Sequence, residues 1–317
     1  MTGKECHIMR YYFAPMEGLT DSVYRRLHHK YFGGVDRYYM PFLSPTMHRI
    51  LSHKEDRELP PADSVAFAAV PQVLTKSAED FLWAAQVCRD RGYGEVNLNV
   101  GCPSGTVVAK GKGAGMLADA EALDHFLETV FQNTPIAISV KTRLGLTDSQ
   151  EFPALLEVFN RYPIKELIIH PRVRKQFYQG DVDMEMFRYA VQNSKNPLCY
   201  NGNLFSPADC KAIEEAFPQV EAAMLGRGLV ADSGMLAGGT QIAALEQFHD
   251  ELLEEYLVLF GGSRNAMFRL KENWSYLLPK FQNRDALAKR LRKTTDLSEY
   301  RSIAKEIFHT LPFEKAE

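Results

Sequence analysis

The sequence predicts an α/β protein, a closed (β/α)8 barrel followed by an all-helical bundle. Three observations carry this expectation. Short apolar runs alternate with amphipathic stretches through the first three-quarters of the chain, the count of runs is eight, and the alternation stops near Ala244. Runs that are apolar on nearly every residue suit parallel strands covered on both faces. Eight βα units in about 240 residues suit a TIM barrel better than an open sheet.

The strand-like runs are Tyr11–Pro15, Asp36–Met40, Phe67–Val73, Glu95–Val100, Ile136–Thr142, Glu166–His170, Pro197–Asn201 and Ala222–Gly226. Helix patterns fill most gaps. Ser77 with Asp80 resembles a capping box ahead of Phe81, Leu82, Ala85 and Val87. Asp119 opens a helix carrying Leu123, Phe126, Leu127 and Val130, and Ser206-Pro207 sets a cap and a first-turn proline before Ile213 and Phe217. The segment between Met40 and Phe67 is weakly patterned. Past Ala244 the periodicity is helical, over Phe248–Phe260, Ala266–Leu278, Arg284–Lys293 and Leu297–Leu311. The expected division is therefore 1–244 for the barrel and 245–317 for the bundle.

Composition narrows the class. The 317 residues are 45% hydrophobic and 24% charged, the profile of an ordinary globular protein. With 37 Lys+Arg against 40 Asp+Glu, global charge points to no nucleic-acid partner, and attraction to RNA has to come from local patches. Cysteines at 6, 88, 102, 199 and 210 form no CxxC pair and no metal-ligand spacing with histidine. Such a dispersed set suits reduced thiols, so a cytoplasmic location without a metal is expected. The N-terminus lacks a signal-peptide pattern and no segment has the apolar length of a membrane span.

Function in a barrel of this kind gathers where the strands end. Polar residues stand at seven of the eight ends: Glu17 after Ala14-Pro15-Met16, Gln72 after Pro71, Asn99 before Gly101-Cys102-Pro103, Lys141-Thr142-Arg143, His170-Pro171-Arg172, Asn201-Gly202-Asn203, and Gly226-Arg227-Gly228. The last two tripeptides, on consecutive strands, have the chemistry of a phosphate cradle, since glycines admit an anion to backbone N–H groups and arginine adds charge. They favour a phosphorylated cofactor such as FMN. Cys102, between glycine and proline and followed by Gly111-Lys-Gly-Ala-Gly115, sits on a shaped loop. Cys88 in a helix, Cys199 in a strand, Cys210 at a helix start and Cys6 in the N-terminal tail look like apolar fillers.

In this order the residues resemble the tRNA-dihydrouridine synthases, FMN enzymes that convert selected uridines of tRNA to dihydrouridine. The matching stretches are APMEGLTD at 14–21, LNVGCPSGTVVAKGKGAGML at 98–117, VKTRLG at 140–145, IIHPRVRKQFYQG at 168–180, YNGN at 200–203 and MLGRG at 224–228. A weaker similarity continues at Arg269-Leu-Lys-Glu-Asn-Trp274-Ser-Tyr276. The resemblance implies that Ala14, Pro15 and Met16 line the flavin, with Gln72 and Lys141 on the isoalloxazine edge. It implies that His170, Asn201, Asn203, Gly226, Arg227 and Gly228 hold the ribityl phosphate region. Cys102 would be the proton donor, and Asn99, Arg143, Arg172 and Tyr178 would grip the flipped-out uracil. NADPH is the implied reductant, and residues 245–317 the tRNA-binding domain.

The chemistry agrees with those roles. Reduction of the uracil C5=C6 bond needs a hydride at C6, which a flavin supplies, and a proton at C5, which an ordinary thiol carries at neutral pH. A base inside folded RNA has to leave its stack first, and Tyr178 and Arg143 suit stacking on it and bonding its edge. Phosphate contacts are expected from Lys110, Lys112, Arg174, Lys175, Lys289, Arg290, Arg292 and Lys293. Two other readings share the scaffold: an FMN reductase of a free pyrimidine, similar to dihydroorotate dehydrogenases, and a non-catalytic RNA-binding barrel. The sequence leaves the oligomeric state open, with a monomer compatible.

Overall fold

The computed structural model describes residues 9–314. Cys6 lies outside them. The strands are β1 (Arg10–Phe13), β2 (Arg37–Tyr39), β3 (Ala69–Val70), β4 (Gln72–Val73), β5 (Glu95–Val100), β6 (Ala137–Arg143), β7 (Leu167–His170), β8 (Leu198–Tyr200) and β9 (Ala222–Leu225). All eight expected runs contain a strand. The run Phe67–Val73 holds two, because Pro71 has no N–H to give the ladder.

The described pairs are parallel and run in the order β3-β2-β1-β9-β8-β7-β6-β5-β4. Since β3 and β4 stand at the two ends of that order and are joined by Pro71 alone, the sheet closes on itself. Leu43 bridges Val73 across this seam, with its N–H on the Gln72 carbonyl at 2.8 Å. The expected (β/α)8 barrel is the observed architecture.

Helices on the barrel's outside begin where the sequence signals them. Ser77 Oγ accepts from Asp80 N at 3.2 Å to start Ala78–Asp90, and Asp119 accepts from the Glu121 and Ala122 N–H groups to start Ala120–Asn133. The weakly patterned stretch before β3 contains a short α-helix, His53–Glu58, with a complete capping box between Ser52 and Glu55, and a 3-10 turn at Ala62–Ser64.

Side chains alternate along a strand, so residues two apart face the barrel interior together. Tyr12, Ala14, Tyr39, Val70, Ile168, Cys199, Ala222 and Met224 form one buried cluster. Nearby, Glu166 is buried and accepts from the Tyr12 hydroxyl at 3.1 Å and the Tyr39 hydroxyl at 3.3 Å, with Arg10 3.8 Å away. Burial raises its carboxyl pKa, so it is a costly group that two phenols help to hold.

The described residues form two compact units, one of residues 9–15, 36–203 and 212–224, the other of residues 16–35, 204–211 and 225–314. The barrel strands lie in the first, apart from Leu225. The second is helical. Its helix Ser22–Tyr31, capped by Asp21, packs on Ile242–Leu259 through Tyr24 and Phe248, whose rings meet edge-on at 5.2 Å. Lys30 pairs with Glu251 at 2.6 Å beside them. Three further α-helices follow, Ser263–Leu277, which starts three residues before the expected span, and Asp285–Lys293 and Leu297–Thr310, each within one residue of theirs. Their centre is aromatic, with the Tyr300 hydroxyl accepting from Trp274 Nε1 at 2.8 Å and lying 2.9 Å from His249 Nε2.

Replacing Glu166 with alanine leaves two buried phenols short of their acceptor. Glu166→Ala is expected to lower the unfolding free energy by about 2–4 kcal/mol in urea titration. A loss below about 1 kcal/mol would show that the carboxylate carries little of the barrel's stability.

Candidate active site

The site is built from the polar residues that β4, β5 and β6 turn inward. In β5 they are Asn97 and Asn99, and in β6 Ser139, Lys141 and Arg143. Register sets Gln72 beside Asn97, Asn97 beside Ser139, and Asn99 beside Lys141. An amide buried without partners costs about 1–3 kcal/mol per unsatisfied group, so these side chains have to satisfy one another. They do so as a ladder. Asn97 Nδ2 donates to Ser139 Oγ at 2.9 Å, Gln72 Nε2 to Asn97 Oδ1 at 2.7 Å, and Asn99 Nδ2 to Gln72 Oε1 at 2.8 Å.

The ladder ends at the cysteine. Asn99 Oδ1 accepts from the backbone N–H groups of Gly101 at 3.1 Å and Cys102 at 2.9 Å. On the other side the Cys102 carbonyl accepts from Ala114 N at 3.1 Å. Gly113, at φ +57°, lies so close that a Cβ there would stand 2.9 Å from the Cys102 carbonyl oxygen. The glycine-rich stretch after Cys102 is thus needed for close approach and a left-handed backbone. Cys102 is half-buried, while Cys88, Cys199 and Cys210 are fully buried, as expected of fillers.

Lys141 stands next to Asn99. Burial first, and then the charge of Arg143, push its pKa down to about 8, and Cys102 is close enough to act on it in the opposite sense. Its ammonium meets no acceptor among the described residues. Arg143 is fully buried and committed to the main chain: Nε donates to the Gly101 carbonyl at 3.0 Å, Nη1 to Val173 at 3.2 Å and Nη2 to Phe177 at 2.8 Å. Burial lowers its pKa to about 10. Tyr178, 53% exposed, lies with its ring 5.5 Å from the Arg143 guanidinium and 5.9 Å from the His170 ring.

At the ends of β7 and β8, Arg172 is buried with Nη1 3.1 Å from His170 Nε2, and its Nη2 donates to the Gly180 carbonyl and to Asn203 Oδ1 at 3.0 Å. Asn203 holds a positive φ of 34°. Asn201 Nδ2 donates to the Met224 carbonyl at 2.7 Å. Ala14 is buried and Pro15 half-buried just beyond β1.

Met16, Gly226, Arg227 and Gly228 belong to the second unit. There the Met16 N–H donates to Thr20 Oγ1 at 2.9 Å, Arg227 lies over the Phe205 ring at 5.1 Å, and a Cβ on Gly228 would sit 2.0 Å from the Leu204 carbonyl oxygen.

Cys102, Asn99, Gln72, Lys141, Arg143, His170, Arg172, Tyr178, Asn201 and Asn203 thus all occupy strand ends or the loops after them in the barrel unit. Asn97 and Ser139 complete the ladder and were not singled out from the sequence. Their signal was present as polar residues two apart inside apolar strands, in Glu95-Val-Asn-Leu-Asn99 and Ser139-Val-Lys141. Among the candidate phosphate contacts, Lys110, Lys175, Lys289, Arg290, Arg292 and Lys293 are exposed, whereas Lys112 reaches Ser44 Oγ at 3.4 Å and Arg174 donates to the Pro103 carbonyl at 3.2 Å. Among the described residues no group of three or more His, Cys, Asp or Glu side chains could hold a metal ion, and no helix is long and apolar enough to cross a membrane.

A family model described as dihydrouridine synthase matches residues 12–312, the barrel and the helical region alike. The chain belongs to the dihydrouridine synthase family. Among proteins of this kind, tRNA-dihydrouridine synthase B of Proteus vulgaris is 24% identical over 277 residues, 83% of this chain and 84% of that one. A probable tRNA-dihydrouridine synthase of Rhizobium leguminosarum bv. phaseoli is 24% identical over 311 residues and covers 95% of both chains. The tRNA-dihydrouridine(16) synthase of Ralstonia nicotianae is 29% identical over 234 residues, 70% of each. The solved old yellow enzyme from Trypanosoma cruzi superposes with a TM-score of 0.50 at 10% identity, over 70% of this chain and 85% of that one, a likeness of fold.

If the ladder fixes the loop of this dihydrouridine synthase, Asn99→Ala frees two backbone N–H groups that hold Cys102. Alkylation of Cys102 by iodoacetamide, followed by peptide mass spectrometry, is expected to speed up several-fold relative to the parent. An unchanged rate would show that the loop keeps its shape without Asn99.

Proposed function

We propose that this chain reduces the C5=C6 bond of specific uridines in tRNA to give 5,6-dihydrouridine, with FMN as cofactor and NADPH as reductant. The observation that carries the reading is the placement of a half-buried thiol, held by its own backbone, beside a lysine with no acceptor, at the ends of two adjacent barrel strands. A lysine in that state fits the electron-rich edge of a flavin. The free amide valences of Gln72 and Asn99 and the His170–Arg172 pair fit its polar periphery. FMN, when bound, supplies hydride to C6 of the uracil and is restored by NADPH.

The chain's own residues do the rest. Lys141, as an ammonium, stabilises negative charge on the cofactor edge. Cys102 gives its proton to C5 from the opposite face of the ring and recovers one from solvent. Tyr178 stacks on the extruded base, and Asn99, Arg143 and Arg172 bound its pocket, Arg143 through the loops it fastens. Ala14, Pro15 and Gln72 line the flavin, with His170, Asn201 and Asn203 toward its phosphate. Residues 1–244 form the catalytic domain and 245–317 the tRNA-binding domain, where Lys289, Arg290, Arg292 and Lys293 present an exposed basic run.

The relatives' names speak for tRNA over a free pyrimidine, and the retained thiol and lysine speak against a non-catalytic barrel. Incubating the protein with FMN, NADPH and tRNA from cells lacking it is expected to yield dihydrouridine, read by mass spectrometry of nucleosides. Absence of the product, or turnover of free uracil or orotate in its place, would overturn the reading.

Cys102→Ala is expected to keep flavin binding and flavin reduction by NADPH while slowing dihydrouridine formation by about 100-fold or more, as loss of a general acid does. Full activity in that variant would remove Cys102 from the chemistry.

Lys141 is cationic below its pKa of about 8 and neutral above it. Flavin reduction by NADPH is therefore expected to fall as pH rises through about 8 in stopped-flow records. Lys141→Arg, charged throughout, is expected to lose that alkaline limb. A parent rate flat to pH 10 would argue against the role.

A further inference from the structure

Phe177 adopts φ 51° and ψ −99°, a backbone region that a residue with a Cβ rarely enters. Such strain persists where the surroundings enforce it and function uses it. Here two hydrogen bonds enforce it. The Phe177 N–H donates to the Arg174 carbonyl at 3.1 Å, and the Phe177 carbonyl accepts from Arg143 Nη2 at 2.8 Å. The result is an aromatic ring left 42% exposed. Arg174 lies against that ring at 5.2 Å, just as Arg143 lies against the ring of Tyr178 at 5.5 Å.

The same two arginines grip the cysteine loop on either side of Cys102. Arg143 Nε donates to the Gly101 carbonyl at 3.0 Å, and Arg174 Nε to the Pro103 carbonyl at 3.2 Å. Consecutive, exposed aromatic rings, each backed by a guanidinium, match the way successive bases of an unpaired strand are held. A guanidinium already bonded to a carbonyl and laid on a ring is poorly placed to spend its charge on a phosphate.

We propose that Phe177 is a second base-stacking surface, which takes a nucleobase next to the uridine held at Tyr178, and that Arg174 supports that ring and the cysteine loop in place of contacting phosphate. The proposal rests on the reading that the substrate is an uridine extruded from tRNA. It makes the loop after β7 a two-base reader that shares its supports with the proton donor. Stacking favours no single base, so this surface adds affinity and sets how the strand runs across the site.

The test is equilibrium binding of bulk tRNA lacking dihydrouridine to the FMN-loaded protein at several salt concentrations. Phe177→Ala is expected to weaken binding about tenfold with an unchanged salt slope, the effect of losing one stacked base. Phe177→Trp is expected to bind within about twofold of the parent and to lose tryptophan emission when tRNA is added. Flavin reduction by NADPH, which uses no RNA, is expected to match the parent in both variants and so reports that the fold is intact. Arg174→Ala is expected to weaken binding without flattening the salt slope.

Parent-like binding by Phe177→Ala, or failure of Phe177→Trp to restore what alanine loses, would overturn the proposal. So would a slope reduced by about one charge in Arg174→Ala, the mark of a phosphate contact. A parent that binds tRNA with these variant effects yet forms no dihydrouridine would sink the proposed reaction alone. A parent that forms it, with Phe177→Ala unaffected, would sink the stacking surface alone.

Discussion

A polar group inside a parallel barrel has no water to turn to, and in this chain that rule organises one whole side of the interior. Gln72, Asn97, Asn99 and Ser139 are buried on three neighbouring strands, and each amide found its partner on the next strand. The chain of donors and acceptors has a direction, and it surfaces at the backbone of Cys102. The loop carrying the thiol is therefore an extension of the core. What looks from outside like a flexible, glycine-rich connection is fixed from within by Asn99 and from the far side by Gly113.

The architecture could be read from the chain because its signals were local and repeated. Apolar runs marked the strands, and the caps at Ser77 and Asp119 marked the helix starts to within a residue. The break at Pro71 is also a local fact, though its meaning is not: only the closed sheet shows that the two halves of that run pair with different neighbours. The identities of the strand-end residues were legible for the same reason. Their partners were not. Nothing in the sequence says that Arg143 is committed to three carbonyls or that Arg172 bridges His170 and Asn203, since those bonds join residues up to 42 positions apart. Asn97 and Ser139 show a middle case, where the period-two pattern was visible but its buried face was not.

Charge follows the same division between local and distant. The chain's slight net negative charge says little about RNA because its cations have different occupations. Some, like Arg143 and Arg174, serve the main chain, Arg290 is paired with Glu306 at 3.0 Å, and others, like Lys289 and Lys293, stand exposed. A count treats them alike. Burial and bonding separate them, and only the last group keeps its charge for a partner.

The seam at Pro71 has a mechanical consequence. Between β5 and β6 six residue pairs stitch the wall, while on either side of Pro71 a strand offers only two. Gln72, the first rung beyond the proline, belongs at once to this thinly paired seam and to the amide chain that ends at the thiol. A shift of the wall at the seam would reach Cys102 in two hydrogen-bonded steps, through Asn99. The closure of the cylinder and the sulfur's posture are thereby mechanically linked.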